Sequence, residues 1–189
     1  MSAGPDAPAT PPTPTTTERF TEVYHHVERV IEDRWGIPVL TADVGNPFTG
    51  DLDGAEIKVD FDLGAEDSLF IIVHLFGHTA QWNTSEAARR IAHFKGPWDP
   101  SAIARVRAYE LEACCYSMQL FHEAGVHDLD QWLSDFSACD FAYLEHFYAT
   151  GKTGAFRAFW QDGTPLLAPR PIPFFTPQKW LGRWDGIVV

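Results

Sequence analysis

The sequence predicts an α+β fold: a mainly helical domain with a small β-sheet ahead of its most apolar helix, and an extended C-terminal arm. Three observations predict it. Apolar residues recur at helical spacing in several long segments, each bounded by capping or stop residues. Two short extended runs within 37–61 directly precede segment 66–82, which is apolar nearly all round. From residue 169 the chain is broken by prolines yet rich in aromatic side chains.

The chain has 189 residues, 45% hydrophobic and 14% aromatic, enough for one domain with a substantial core. Residues 1–17 are mostly Pro, Thr and Ala with little to bury, and read as a disordered tail. From 18 to 35, Phe20, Val23, Tyr24, Val27, Val30 and Ile31 fall at helical spacing, and Gly36 and Pro38 stop the helix. Runs 37–44 and 55–61 read as strands, separated by the turn formers of NPFTGDLDG. Segment 66–82 reads as a buried central helix, and 85–98 as a shorter helix and loop ending at Gly96-Pro97. Asp99 and Pro100 supply an N-cap and a first-turn proline for a helix to about Glu123, with Gly125 as its stop. Asp128 and Gln131 resemble a capping box for a last helix ending near Gly151, and 155–167 reads as a hairpin.

The arm, 169–189, carries Ile172, Phe174, Phe175, Trp180, Leu181, Trp184, Ile187, Val188 and Val189. That is too much apolar surface to leave in water, so the arm is expected to pack on domain 18–168 and to close one side of its pocket.

Twenty-six acidic residues against 14 basic ones give a net charge of −12, which repels phosphate backbones and anionic lipid. Nucleic-acid and membrane-surface partners are therefore not expected. The three cysteines, two of them adjacent, suit neither a disulfide framework nor a zinc knuckle. No apolar run approaches the roughly 20 residues of a membrane span, and no basic-then-apolar leader opens the chain. The expected setting is a reducing cytoplasm.

His74 and His78 stand four residues apart in segment 66–82, about 40° apart around a helix with about 100° per residue. A buried helix needs a reason to carry two polar rings. They are either satisfied core histidines or a pair presented to one metal. The next long helix bears on this choice. Its stripe Ile103, Val106, Ala113, Cys114, Ser117, Leu120 and Phe121 faces inward by spacing, with Glu110 at its centre and Glu112 about 200° away from it. A carboxylate centred on an apolar stripe must meet a cation or a metal. Two histidines and a carboxylate form a three-ligand set with positions left open.

The stretches His74-Leu75-Phe76-Gly77-His78 and Glu110-Leu111-Glu112-Ala113-Cys114-Cys115-Tyr116-Ser117 resemble the ImmA/IrrE-like branch of the zincin metallopeptidases over roughly residues 20–125. The resemblance implies a zincin-like domain with His74, His78 and Glu110 as ligands of one metal, and places Cys114 where the family has Asn or Asp. The family's general base follows the first histidine, and here that position is Leu75. Without that carboxylate ordinary peptide hydrolysis lacks its proton acceptor. A two-His, one-carboxylate face with an apolar neighbour suits non-haem iron chemistry instead.

The leading expectation is an iron(II)-dependent oxidoreductase acting on a small molecule. A zinc(II) hydrolase with a displaced base, from Glu66, Asp67 or Asp135, is the alternative, and an inactive relative that binds a partner is a third. Arg107, one turn before Glu110, is the candidate for binding a substrate carboxylate, or else a surface cation. Asp135 or His146, on one face with Cys139 and Ala142, would orient a ligand imidazole, or else form a polar seam. His25, His26, His122 and His127 read as solvated or loop histidines. Trp82, Trp132, Tyr116 and Tyr143 are candidate pocket walls or core.

Overall fold

The computed structural model describes residues 16–45 and 47–180. The predicted tail therefore lies almost wholly outside the described residues, as do Leu181, Trp184, Ile187, Val188 and Val189. The first helix begins two residues earlier than its apolar stripe suggested. α1 spans Thr16–Trp35 and buries Phe20, Val23, Tyr24, Val27 and Ile31 along one stripe. Gly36, at φ +67, ends it in the left-handed region.

Three strands follow: β1 (Val39–Ala42), β2 (Gly50–Leu52) and β3 (Ile57–Asp60). They pair in the order β1-β3-β2, with β1 parallel and β2 antiparallel to β3. β2 lies inside the segment expected to be a turn. Gly50 stands there because a Cβ would meet Leu75 Cδ1 at 2.6 Å and Ile71 Cγ2 at 2.7 Å. The strand passes so close to the next helix that even a methyl group would have to push these two side chains aside.

That helix, α2 (Ala65–Thr84), is buried at every residue from Leu69 to Trp82. It contacts α1, β2, β3, α3 (Glu86–Ala92) and α4 (Pro100–Glu123), so it has no face left for water. α4 starts as its sequence predicts: Asp99 accepts from Ala102 N at 2.8 Å, and Pro100 sits in the first turn. It ends in a Schellman arrangement, with Val126 N donating to Phe121 O and Gly125 N to His122 O.

α5 (Asp130–Thr150) lacks the expected capping box. Asp128 instead takes a two-bond ion pair from Arg19 of α1, and Gln131 donates to Asp135 and to Thr164 O. The expected hairpin is also absent. Residues Phe156–Phe159 form one 3-10 turn, and the described chain beyond it, 160–180, holds no further helix or strand. Its backbone is held by side chains rather than by a partner strand: Asp135 accepts from Gly163 N and Thr164 N, and Ser134 Oγ from Leu167 N.

The described part of the arm packs on the domain. Arg170 N donates to Cys115 O and Trp180 N to Asp53 O, Phe175 is buried, and the Arg89 guanidinium lies 3.8 Å over the Trp180 ring. Phe174 departs from the expectation, being 96% exposed. No helix among the described residues is long and apolar enough to cross a membrane.

Candidate metal centre

The site sits where α2 crosses closest to α4. A Cβ on Gly77 would lie 2.3 Å from Ala113 O, so the backbones touch at this point. One residue on from Gly77, His78 Nε2 lies 3.0 Å from His74 Nε2 and 3.0 Å from Glu110 Oε2. The third edge, His74 Nε2 to Glu110 Oε2, is 3.4 Å. The three residues are 1%, 0% and 5% exposed. Aromatic rings clamp both imidazoles: Phe70 stacks on His74 at 5.2 Å and Tyr109 on His78 at 4.5 Å.

The protonation pattern follows from the neighbours. Gln81 Nε2 donates to Tyr109 O and to Glu112 Oε2, so its oxygen must face His78. His78 Nδ1, 2.9 Å from that oxygen, is then the N–H donor. A neutral His78 therefore turns the bare lone pair of Nε2 toward Glu110 and His74. Burial pushes the His74 imidazole down, helped by His78 and opposed by Glu110. Burial alone would raise the Glu110 carboxyl, but the imidazoles of His78 and His74 outweigh it and hold it at about 2. Burial thus favours the neutral form of His74 beside an ionised Glu110, and neutral imidazoles with a carboxylate are the forms that metal ligation requires.

Two ring nitrogens and a carboxylate oxygen facing one another at 3.0–3.4 Å need protons or a cation between them. One proton on His74 Nε2 serves at most two of the edges. Donors about 2.1 Å from a common ion lie about 3.0 Å apart in octahedral and about 3.4 Å apart in tetrahedral geometry. The triangle has edges of this size, so its spacing is compatible with one divalent ion. They are one of two groups among the described residues able to hold a metal.

The remaining candidates separate. Glu112 is not in the triangle, but it pairs with Arg170 of the arm and accepts from Gln81, so it steadies the His78 contact at one remove. Arg107 pairs with Glu145 of α5 at 2.8 Å, and both line a crevice of about 10 Å³ between α4 and α5 that also touches Glu110. That volume is about one water probe. Asp135 does not orient a ligand imidazole; its oxygens are taken by Gly163, Thr164 and Gln131. His146 packs on Phe159. Glu66 and Asp67 face Arg157 at the start of α2.

Leu75 packs against Gly50 of β2, on the sheet side of α2 rather than over the triangle. The position beside His74 is held by Cys114, whose Sγ is 3.5 Å from Nδ1. Burial pushes this thiol well up, so it keeps its proton. Trp82 donates to Tyr109 Oη at 2.8 Å and is core, as is Tyr116; Trp132 donates to Glu66 and Tyr143 packs on Phe156. His25 meets Glu28 and His26 meets Ala124 O.

Asp140 of α5 escaped the sequence reading. It is 1% exposed, its Oδ2 has no partner among the described residues, and burial together with Glu110 pushes its carboxyl well above the usual range. The signal was present: Asp140 stands among Cys139, Phe141 and Ala142, an acid on an apolar stretch as Glu110 is. No family model, curated protein or solved structure matches this chain.

Proposed function

We propose that the protein is a mononuclear metalloenzyme in which His74, His78 and Glu110 hold one divalent ion, iron(II) by preference, for oxidative chemistry on a small molecule. The observation that carries this reading is the buried triangle of two ring nitrogens and a carboxylate oxygen at ion-ligand spacing. The order of its parts, strands before an HxxxH helix and a glutamate from the next long helix, also fits a zincin-like site. Such an ion, when bound, supplies a Lewis-acid and redox centre with coordination positions to spare.

The protein's own groups do the rest. Gln81 holds an N–H of His78 at Nδ1, which leaves Nε2 as the atom to face an ion, and the Glu110 charge would offset part of the cation's in a low-dielectric surrounding. Phe70, itself stacked on Phe136, covers the His74 ring and Tyr109 covers the His78 ring, which keeps water from both imidazoles. The crevice lined by Arg107, Glu145 and Glu110 is the side from which we expect the centre to be approached, and it has room for about one water. Residue 75, where a peptidase of this pattern keeps its general base, is a leucine turned to the sheet, so ordinary peptide hydrolysis lacks that group.

Asp140 favours a second reading. Burial and Glu110 push the Asp140 carboxyl up, and such a group would serve as a displaced acid–base residue of the kind a zinc(II) hydrolase requires. Metal analysis of protein purified without oxygen, followed by turnover assays, separates the two. Iron with oxygen-dependent turnover supports the first reading, and tightly held zinc with amide cleavage the second. Metal that raises the melting temperature without any turnover would sink both and leave a structural ion.

A further inference from the structure

His122, in the last turn of α4, His127, in the following loop, and Asp130, at the start of α5, offer donor atoms that all lie within 4.8 Å of one another. His122 Nε2 is 2.9 Å from Asp130 Oδ2. A single hydrogen bond accounts for that contact. It does not account for the other two features: the His127 ring brought to 4.5 Å from the His122 ring, and Asp130 Oδ1, shielded from solvent and without a partner among the described residues.

We propose that His122, His127 and Asp130 form a second, surface metal site that takes a borderline divalent cation of the zinc, cobalt, nickel or copper class. Two imidazoles and a carboxylate select that class over calcium or magnesium, which prefer all-oxygen shells. Donors sharing an ion at about 2.1 Å lie no more than about 4.2 Å apart. His122 and Asp130 already meet that limit, and exposed His127 closes the rest by turning its side chain.

The site would staple the turn between the helix that carries Glu110 and the helix that covers it. The turn's own locks make this a small step. The Schellman bonds fix Gly125 and Val126, Val126 and Leu129 are buried, and Asp130 N lies within 3.5 Å of His127 O. α5 has no side-chain cap of its own, so a cation tied to Asp130 would also anchor its first turn. This inference stands apart from the buried centre, because it shares no residue with it.

Native mass spectrometry with added zinc tests it on the full chain. Wild type is expected to take up two equivalents, His127→Ala and Asp130→Asn one, and Glu110→Gln one. His127 is exposed, so its alanine variant leaves the core intact. One equivalent in wild type that survives in His127→Ala and vanishes in Glu110→Gln would overturn the surface site and spare the buried one. One equivalent lost in His127→Ala but kept in Glu110→Gln would do the reverse.

Discussion

At the residue scale, the chemistry depends on which atoms carry protons. Gln81 fixes the His78 tautomer through three hydrogen bonds, so Gln81→Ala is expected to weaken metal binding about 10–100-fold. His78→Ala should abolish binding, and Glu112→Ala should keep it with a smaller loss; chelator competition measures all three. Equal affinity in Gln81→Ala and wild type would show that the tautomer argument is wrong. Asp140 gives a pH test. Its folded carboxyl is raised above the unfolded value, so the folded protein retains a proton that the unfolded chain releases. Stability from this group is therefore full below about pH 3.9 and declines as pH rises toward the folded value. Asp140→Asn carries no such loss, so metal-free Asp140→Asn should melt higher than wild type at pH 7, with the gain vanishing near pH 3.5. A variant that melts lower at both would mean that the carboxyl makes a contact that matters.

At the element scale, two glycines set how closely layers approach. Gly77→Ala drives a methyl into the Ala113 carbonyl, and Gly50→Ala drives one into Leu75. The first obstacle is backbone and the second a side-chain tip, so Gly77→Ala should cost more, in the overpacking range of about 1–3 kcal/mol or above. It should also widen the triangle and lower metal affinity, which Gly50→Ala should not; urea unfolding and metal titration read the two effects. What was legible in the sequence follows from the same physics. The long helices carry their signal locally, in periodicity, in the Asp99-Pro100 start and in the Gly125 stop. The His74, His78 and Glu110 faces were legible because helical phase alone decides them. β2 was not, because its three residues are strand only through pairing with β3 and pressure from α2. The capping box and the hairpin failed for one reason: Asp128, Gln131 and Asp135 found partners on Arg19 and in 163–164, contacts that spacing along the chain does not encode.

At the scale of the whole molecule, the arm is tied to the centre by a relay. Arg170 pairs with Glu112, Glu112 accepts from Gln81, and Gln81 holds His78. Removing residues 169–189 should therefore lower both the melting temperature and the metal affinity, whereas removing residues 1–15, whose composition gives little to bury, should change neither. Thermal melts and metal titration of the two truncations check this, and an arm deletion that leaves metal affinity intact would break the relay. The whole account rests on the buried triangle, and one comparison tests it most directly. In a His127→Ala background, which removes the surface ligand, metal content is measured for the parent and for its Glu110→Ala and Glu112→Ala derivatives. The triangle predicts one equivalent in the parent, none with Glu110→Ala and one with Glu112→Ala. A full equivalent retained by the Glu110→Ala derivative would contradict it.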